Sequence, residues 1–121
     1  MGKPIFEEKD NIAELECLKI YDDSYDFYES VLLSFVREGG NDRDALIRFK
    51  SDASREEYRT VVHGLKSSAG SIGAKDLQKL ASDIDGYCKA GDWEKVSDKH
   101  EELIGLLSEK IELVKRRMLN R

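Results

Sequence analysis

The feature that most constrains the fold is a long apolar seam over residues 93–118, in which successive positions are three or four residues apart. The seam consists of Trp93, Val96, His100, Leu103, Leu107, Ile111, Val114 and Met118. This spacing places all of these side chains on one face of an α-helix, which has 3.6 residues per turn. The chain has one proline and 37% charged residues, a composition that favours long amphipathic helices over short strands. The segment therefore predicts a long helix with one buried face.

The first half of the chain predicts helices of unequal length. Residues 1–11 indicate a loosely ordered lead-in, and residues 12–20 a short helix. Ser24 is a suitable N-cap for a longer helix, which we expect Gly39-Gly40 to end. Asn41 then caps a shorter helix.

The second half of the chain begins with an interruption of the helical pattern around residues 51–53. Ser54 and Glu57 form a capping-box pattern that opens the next helix. Gly73 ends that helix, and Gly91 ends the one after it. The last predicted helix is the one that carries the seam of residues 93–118.

The length and the element pattern together define a fold class. A chain of 121 residues with 40% apolar residues fits a single domain with one core, which we place at residues 12–121. The sequence shows no strand pattern and no internal repeat. Helices joined by short turns predict an all-α, antiparallel four-helix bundle with one or two short extra N-terminal helices.

Charge and cysteine content exclude several classes of function. A formal net charge of -5 does not provide the basic surface that general nucleic-acid binding requires. No apolar run is long enough to span a membrane. Cys17 and Cys88 match no metal-ligand or redox spacing, and we interpret both as free, packed thiols. These features predict a cytoplasmic domain that binds neither nucleic acid nor membrane.

One stretch of the helix after Ser54 combines a histidine with small residues, and reads His63-Gly64-Leu65-Lys66-Ser67-Ser68-Ala69-Gly70-Ser71-Ile72-Gly73-Ala74. The apolar stripe of this helix consists of Tyr58, Val61, Val62, Leu65, Ala69 and Ile72. At about 100° per residue, His63 lies roughly 140° from the middle of this stripe and is predicted to face solvent. Lys66, Ser67 and Gly70 follow at helical spacing and lie beside it.

An exposed histidine beside a cation suits phosphoryl chemistry. A neutral imidazole nitrogen is a good nucleophile near neutral pH, and the phosphorylated nitrogen stays reactive enough to pass the group on. Lys66 can place a point charge near the phosphoryl oxygens. Gly64 and Gly70 each cost about 1 kcal/mol relative to alanine inside a helix, so we expect a compensating role, such as close approach of a partner's backbone.

At these residues the chain resembles the histidine-containing phosphotransfer (HPt) domain family of two-component phosphorelays. The family pattern is a histidine, a variable residue, a leucine, a lysine, usually a glycine, and then small residues ending in Gly-Ala. His63, Leu65, Lys66 and Gly73-Ala74 match this pattern. Ser67 departs from it, because the family more often has glycine there, and the serine should reduce access to the imidazole only slightly.

The resemblance implies that His63 is the phosphoacceptor, modified at the ring nitrogen remote from the backbone, and that Lys66 stabilises the phosphoryl group. It implies that the exposed small residues Gly64, Ser67 and Gly70 belong to a docking surface. The implied partners are a response-regulator receiver domain, which supplies magnesium, and a hybrid histidine kinase. The chain would then be a monomeric phosphocarrier with no cofactor and no autokinase activity of its own.

Two other functions remain open from the sequence. The first is a catalytically inert helical adaptor that binds a receiver domain without transfer, and the second is a helical dimerisation module built on the seam of residues 93–118. His100 lies on that seam without small neighbours, and we interpret it as a hydrogen-bonded boundary or core residue. With two histidines and no acid or thiol at suitable spacing, the sequence supports neither a zinc site nor a nucleophile-base pair.

Overall fold

A computed structural model describes residues 3–51 and 54–120, apart from the side chains of residues 50 and 51. Within these ranges the chain forms five α-helices. They are α1 (Glu14–Ile20), α2 (Tyr25–Ser51), α3 (Arg55–Ile72), α4 (Lys75–Ala90) and α5 (Trp93–Leu119), preceded by a short 3-10 helix, Glu8–Asp10. No strand occurs within the described ranges. Each of α2 to α5 packs on its neighbour in the chain, and α2 also packs on α5. This arrangement confirms the predicted four-helix bundle with short N-terminal helices.

The core lies where the apolar faces of α2 to α5 meet. Its fully buried side chains include Tyr28, Leu32, Leu46, Val62, Leu65, Ala69, Leu77, Ala81, Ile84, Leu103, Leu107 and Val114. The seam of α5 is therefore used inside the bundle, and a dimer would need a different surface. His100 on this seam is buried, and its Nδ1 lies 2.8 Å from the hydroxyl oxygen of Tyr58, which confirms it as a hydrogen-bonded core residue.

Helix α2 differs from the prediction because it continues through Gly39-Gly40 to Ser51. The predicted helix end at these glycines and the predicted new helix at Asn41 are both wrong. A Cβ at Gly39 would lie 3.2 Å from Cδ1 of Ile111 on α5, so the missing side chain allows the two helices to pack closely. This close packing offsets the cost of about 1 kcal/mol for Gly39 inside a helix, whereas a Cβ at Gly40 would meet no described atom within 4 Å. Of the predicted interruption around residues 51–53, residues 52 and 53 lie outside the described residues.

The helix ends predicted at Ser24, Gly73 and Gly91 are confirmed, whereas the capping box predicted at Ser54 is not. Ser24 precedes α2, and its hydroxyl accepts a hydrogen bond at 3.1 Å from the backbone N–H three residues later, as predicted for an N-cap. Ser54 precedes α3, but its side chain makes no capping hydrogen bond to any described group, so the predicted capping box with Glu57 is wrong. Gly73 and Gly91 adopt left-handed conformations, with φ of 87° and 73°, and end α3 and α4 as predicted.

Residues 5–10 pack on the bundle, within the segment 1–11 that we expected to be a loosely ordered lead-in. Ile5 and Phe6 are buried, and their backbone N–H groups both donate to the carboxylate of Glu14 at 2.9 Å. Asp10 accepts two hydrogen bonds from Arg117 near the end of α5, at 2.9 and 3.0 Å. The sequence alone did not indicate these contacts, because the Asp10–Arg117 pair joins opposite ends of the chain.

The pairing of Asp10 with Arg117 predicts a contribution to stability that is lost in acid. The hydrogen bonds from Arg117 hold the pKa of Asp10 below its ordinary value of 3.8, although burial opposes them. Such a carboxyl stabilises the fold above its unfolded pKa, and the contribution disappears as the pH falls through the folded pKa. We expect Asp10→Asn to lower the free energy of unfolding at pH 7 by about 1–2 kcal/mol. The difference from wild type should close as the pH falls below 3.8.

Urea unfolding of both chains over a pH series measures this difference. Asp83→Asn is the matched control, because Asp83 is an exposed carboxylate of α4 that pairs with Lys79 at 3.2 Å. The control should stay within about 0.5 kcal/mol of wild type. A difference between Asp10→Asn and wild type that is constant over the acidic range would contradict the prediction.

Candidate functional site

His63 lies near the middle of α3, and 58% of its side-chain surface is exposed. The helix buries Val62 and Leu65 in the core, and its 3.6-residue repeat therefore directs the imidazole away from the bundle interior. This confirms that His63 faces solvent. The ring is nevertheless held at one nitrogen, because Nδ1 lies 3.2 Å from Oδ2 of Asp85 on α4.

The carboxylate of Asp85 lies at the centre of this site, with only 2% of its side-chain surface exposed. Its Oδ2 atom is 3.2 Å from Nδ1 of His63, 3.2 Å from Nζ of Lys66 and 3.4 Å from Nζ of Lys89. Its Oδ1 atom lies 3.8 Å from Nε of Arg59. One buried carboxylate thus brings together the histidine and three cationic side chains of the described residues.

The ionisation of Asp85 determines which nitrogen of His63 carries a proton. Burial raises the pKa of Asp85, but hydrogen bonds from His63, Lys66 and Lys89 outweigh it and hold the pKa below its ordinary value of 3.8. Asp85 is therefore ionised near neutral pH and can only accept hydrogen bonds. This assigns the proton of the neutral imidazole to Nδ1 and leaves the lone pair on Nε2. Nε2 is therefore the ring nitrogen whose lone pair is available to react.

The small residues after His63 have different structural surroundings. A Cβ at Gly64 would meet no described atom within 4 Å, so the fold itself does not need a glycine there. A Cβ at Gly70 would come within 2.5 Å of Nε2 of Gln78 on α4, so the end of this flexible side chain would have to move aside. Ser67 is exposed and borders an open groove together with Lys66 and Gln78. Of the three residues predicted to form one docking surface, Gly64 and Ser67 are exposed, whereas Gly70 is partly buried beside Gln78 of α4.

Sequence reasoning missed Asp85, Lys89 and Arg59. A signal for the first was present, because Asp85 lies on the apolar stripe of α4 between Ala81 and Cys88. Charged residues are rarely buried unless they are paired, so a carboxylate on an apolar stripe indicates a partner on the facing helix. The two cations carry no such local signal, because both extend from largely exposed positions toward this carboxylate.

A comparison with protein families identifies the fold and its broad role. The family model for the Hpt domain matches residues 30–116, which include all of α3 and α4 and most of α2 and α5. The chain belongs to the HPt domain family. Membership implies histidine phosphotransfer in two-component relays, in which HPt domains interact with receiver domains and kinases. No curated protein and no solved structure gives a significant match to this HPt domain.

Among the described residues, no helix has the length and apolar character needed to cross a bilayer. The same residues contain no group of three or more histidine, cysteine, aspartate or glutamate side chains arranged to hold a metal ion.

Proposed function

We propose that this HPt domain is a phosphorelay intermediate in which Nε2 of His63 accepts a phosphoryl group from a receiver-domain aspartate and passes it to another receiver domain. The observation that carries the proposal is the fixed imidazole. Its Nδ1–H is held by the ionised Asp85, and its other nitrogen carries a lone pair on an exposed side chain. An imidazole that is held in one orientation needs little reorientation before its Nε2 attacks the phosphoryl group.

The accepting step balances without an added reactant. The Nε2 lone pair attacks phosphorus, the N–P bond forms, and the P–O bond to the receiver aspartate breaks. The aspartate leaves as a carboxylate with the bonding electron pair. The proton on Nδ1 remains in place, and the carboxylate of Asp85 stabilises the positive charge that develops on the ring. The reverse sequence of bond changes delivers the group to the next receiver domain.

Lys66 is the residue we assign to phosphoryl stabilisation. Lys66 follows His63 by one helical turn. Its Nζ lies 3.2 Å from Oδ2 of Asp85, the same oxygen that Nδ1 of the imidazole contacts. An ammonium group there can contact phosphoryl oxygens as a point charge. We assign docking of the receiver domain to Gly64, Ser67 and Gly70.

The remaining parts of the proposal concern the partners and the surroundings. We assign magnesium to the receiver domain, because the carboxylate of Asp85 is already surrounded by cations and does not offer a hard cation a free set of oxygen ligands. A hybrid histidine kinase is the second proposed partner. The domain is proposed to act as a monomer without autokinase activity. The buried free thiols of Cys17 and Cys88 fit a reducing cytoplasm.

The test is phosphoryl transfer to the purified wild-type chain from a panel of receiver domains phosphorylated with acetyl phosphate. We expect label on the chain that is labile in acid and stable in alkali, and that peptide mapping assigns to His63. A chain that binds receiver domains but takes no label from any of them would overturn the relay and support the inert adaptor.

Gly64→Ala separates docking from folding. The new methyl group enters open space and alanine is the better helix former, so we expect the free energy of unfolding to rise by up to about 1 kcal/mol. The same methyl group lies beside His63 where a receiver domain must close, and overpacking of a contact costs about 1–3 kcal/mol. We therefore expect transfer from the receiver domain to slow by roughly 5- to 150-fold. Urea unfolding and single-turnover transfer measure the two effects.

Gly105→Ala is the matched control for this variant. Gly105 is an exposed glycine of α5, and a Cβ there also meets no described atom within 4 Å. The control should show the same stabilisation with unchanged transfer. Equal transfer rates for the two variants would contradict the assignment of Gly64 to the docking surface.

A further inference from the structure

The cationic side chains around Asp85 outnumber the carboxylate. Arg59, Lys66 and Lys89 carry three positive charges and Asp85 carries one negative charge, so the cluster has a net charge of +2 when His63 is neutral. A protein-bound phosphoryl group carries about -1.5 to -2 at pH 7. This surplus is opposite in sign to the group that His63 is proposed to accept, and the carboxylate of Glu56, which lines one hollow with Arg59 and His63, offsets part of it.

Arg59 differs from the other cations in how loosely it is held. Lys66 and Lys89 both lie at Oδ2 of Asp85, whereas Arg59 is directed to Oδ1 at 3.8 Å, beyond hydrogen-bonding distance. Among the described residues this buried Oδ1 atom has no hydrogen-bond partner. The side chain of Arg59 is 47% exposed, so little holds its guanidinium in this position.

The position of Arg59 on α3 brings it to the side of His63 opposite Lys66. Arg59 precedes the histidine by four residues and Lys66 follows it by three, so the two cations lie one turn before and one turn after the imidazole. Arg59 and His63 also line one open hollow, together with Glu56 and Thr60. A group bound to the imidazole would thus have a cation on each side along the helix.

We propose that Arg59 is a second phosphoryl-binding residue, which turns from Asp85 to the phosphoryl oxygens once His63 is phosphorylated. The planar guanidinium can donate two parallel hydrogen bonds to a phosphoryl group, which an ammonium cannot. Lys66 and Lys89 remain close enough to Asp85 to balance its charge when Arg59 leaves. This inference rests on the proposed phosphorylation of His63.

The experiment compares wild type with Arg59→Gln, Arg59→Lys and Arg55→Gln. Arg55 is the matched control, because it lies one turn earlier on α3, stacks on Trp93 at 5.2 Å, and loses the same charge when changed to glutamine. Each chain is phosphorylated with phosphoramidate in the absence of any receiver domain, and the phosphohistidine is titrated by ³¹P NMR. The equilibrium distribution of phosphoryl groups between each chain and one receiver domain is the second measurement.

We expect Arg59→Gln to raise the pH at which the phosphoryl group titrates and to shift the equilibrium about tenfold toward the receiver domain. Arg59→Lys should fall between this variant and wild type, because it keeps the charge and loses the paired donors. Arg55→Gln should match wild type in both measurements.

Identical behaviour of Arg59→Gln and Arg55→Gln would overturn the inference while leaving phosphorylation of His63 intact. An unchanged ³¹P titration with an altered equilibrium would place Arg59 against the partner rather than the phosphoryl group, and would also overturn it. Failure of wild type to take label from receiver domains would instead reject the proposed function. The two failures are therefore distinguishable.

Discussion

His63→Gln is expected to take no label from any phosphorylated receiver domain under conditions in which the wild-type chain is labelled. Glutamine keeps a polar side chain at this exposed position but has no nucleophilic nitrogen, so the step that forms the N–P bond is removed. The substitution should leave the free energy of unfolding within about 0.5 kcal/mol of wild type, because His63 is outside the core. Transfer assays and urea unfolding measure the two expectations.

The second histidine provides an internal control for this result. His100 remains in the His63→Gln variant, where it is buried and bonded to Tyr58. Label that persists at the wild-type rate would show that another group accepts the phosphoryl group. That result would contradict the assignment of His63.

Asp85→Asn is expected to slow phosphoryl transfer by about 10- to 100-fold while the fold is retained. The amide has nearly the shape of the carboxylate, but it lacks the charge that keeps the proton on Nδ1 of His63 and stabilises the cationic ring. Loss of the carboxylate partner of a metal-bound histidine typically costs about 10- to 100-fold in activity, and we expect a loss of the same order here. Asp85 acts here as a positioning residue, since its effect on the reaction passes through the imidazole.

Two measurements distinguish this role from a structural one. Nitrogen-15 NMR of the imidazole should show a smaller population of the Nδ1–H tautomer in Asp85→Asn than in wild type. Asp83→Asn, two residues earlier on the same helix, is the control and should change neither the tautomer nor the transfer rate, because Asp83 pairs with Lys79 at the surface. A wild-type tautomer ratio and transfer rate in Asp85→Asn would reject the positioning role.

The fold was predictable where local signals determine an element. The apolar stripes of α3, α4 and α5 have a clear helical period, and Gly73 and Gly91 end two of these helices in the left-handed conformation that glycine allows. Helix α2 was not predictable in the same way. Its continuation through Gly39 depends on close packing against Ile111 of α5, and this contact joins residues that are distant in sequence.

The same distinction applies to the candidate site, where features set within one helix were predictable and contacts between helices were not. The exposure of His63 and the position of Lys66 beside it follow from the period of a single helix. The contact of both residues with Asp85 depends instead on the alignment of α3 against α4, which sequence spacing within one helix does not specify. The loose position of Arg59 is less predictable still, because a flexible exposed side chain can point in several directions.

The anchoring of the N-terminal segment limits how far the domain can be shortened. A fragment trimmed to the family match at residues 30–116 would lose Tyr28, whose hydroxyl donates to the carbonyl of Ile72 at 2.8 Å in the last turn of α3. It would also lose both members of the Asp10–Arg117 pair. Recombinant fragments that begin upstream of Ile5 and extend past Arg117 retain every one of these attachments, and with them the placement of the helix that carries His63.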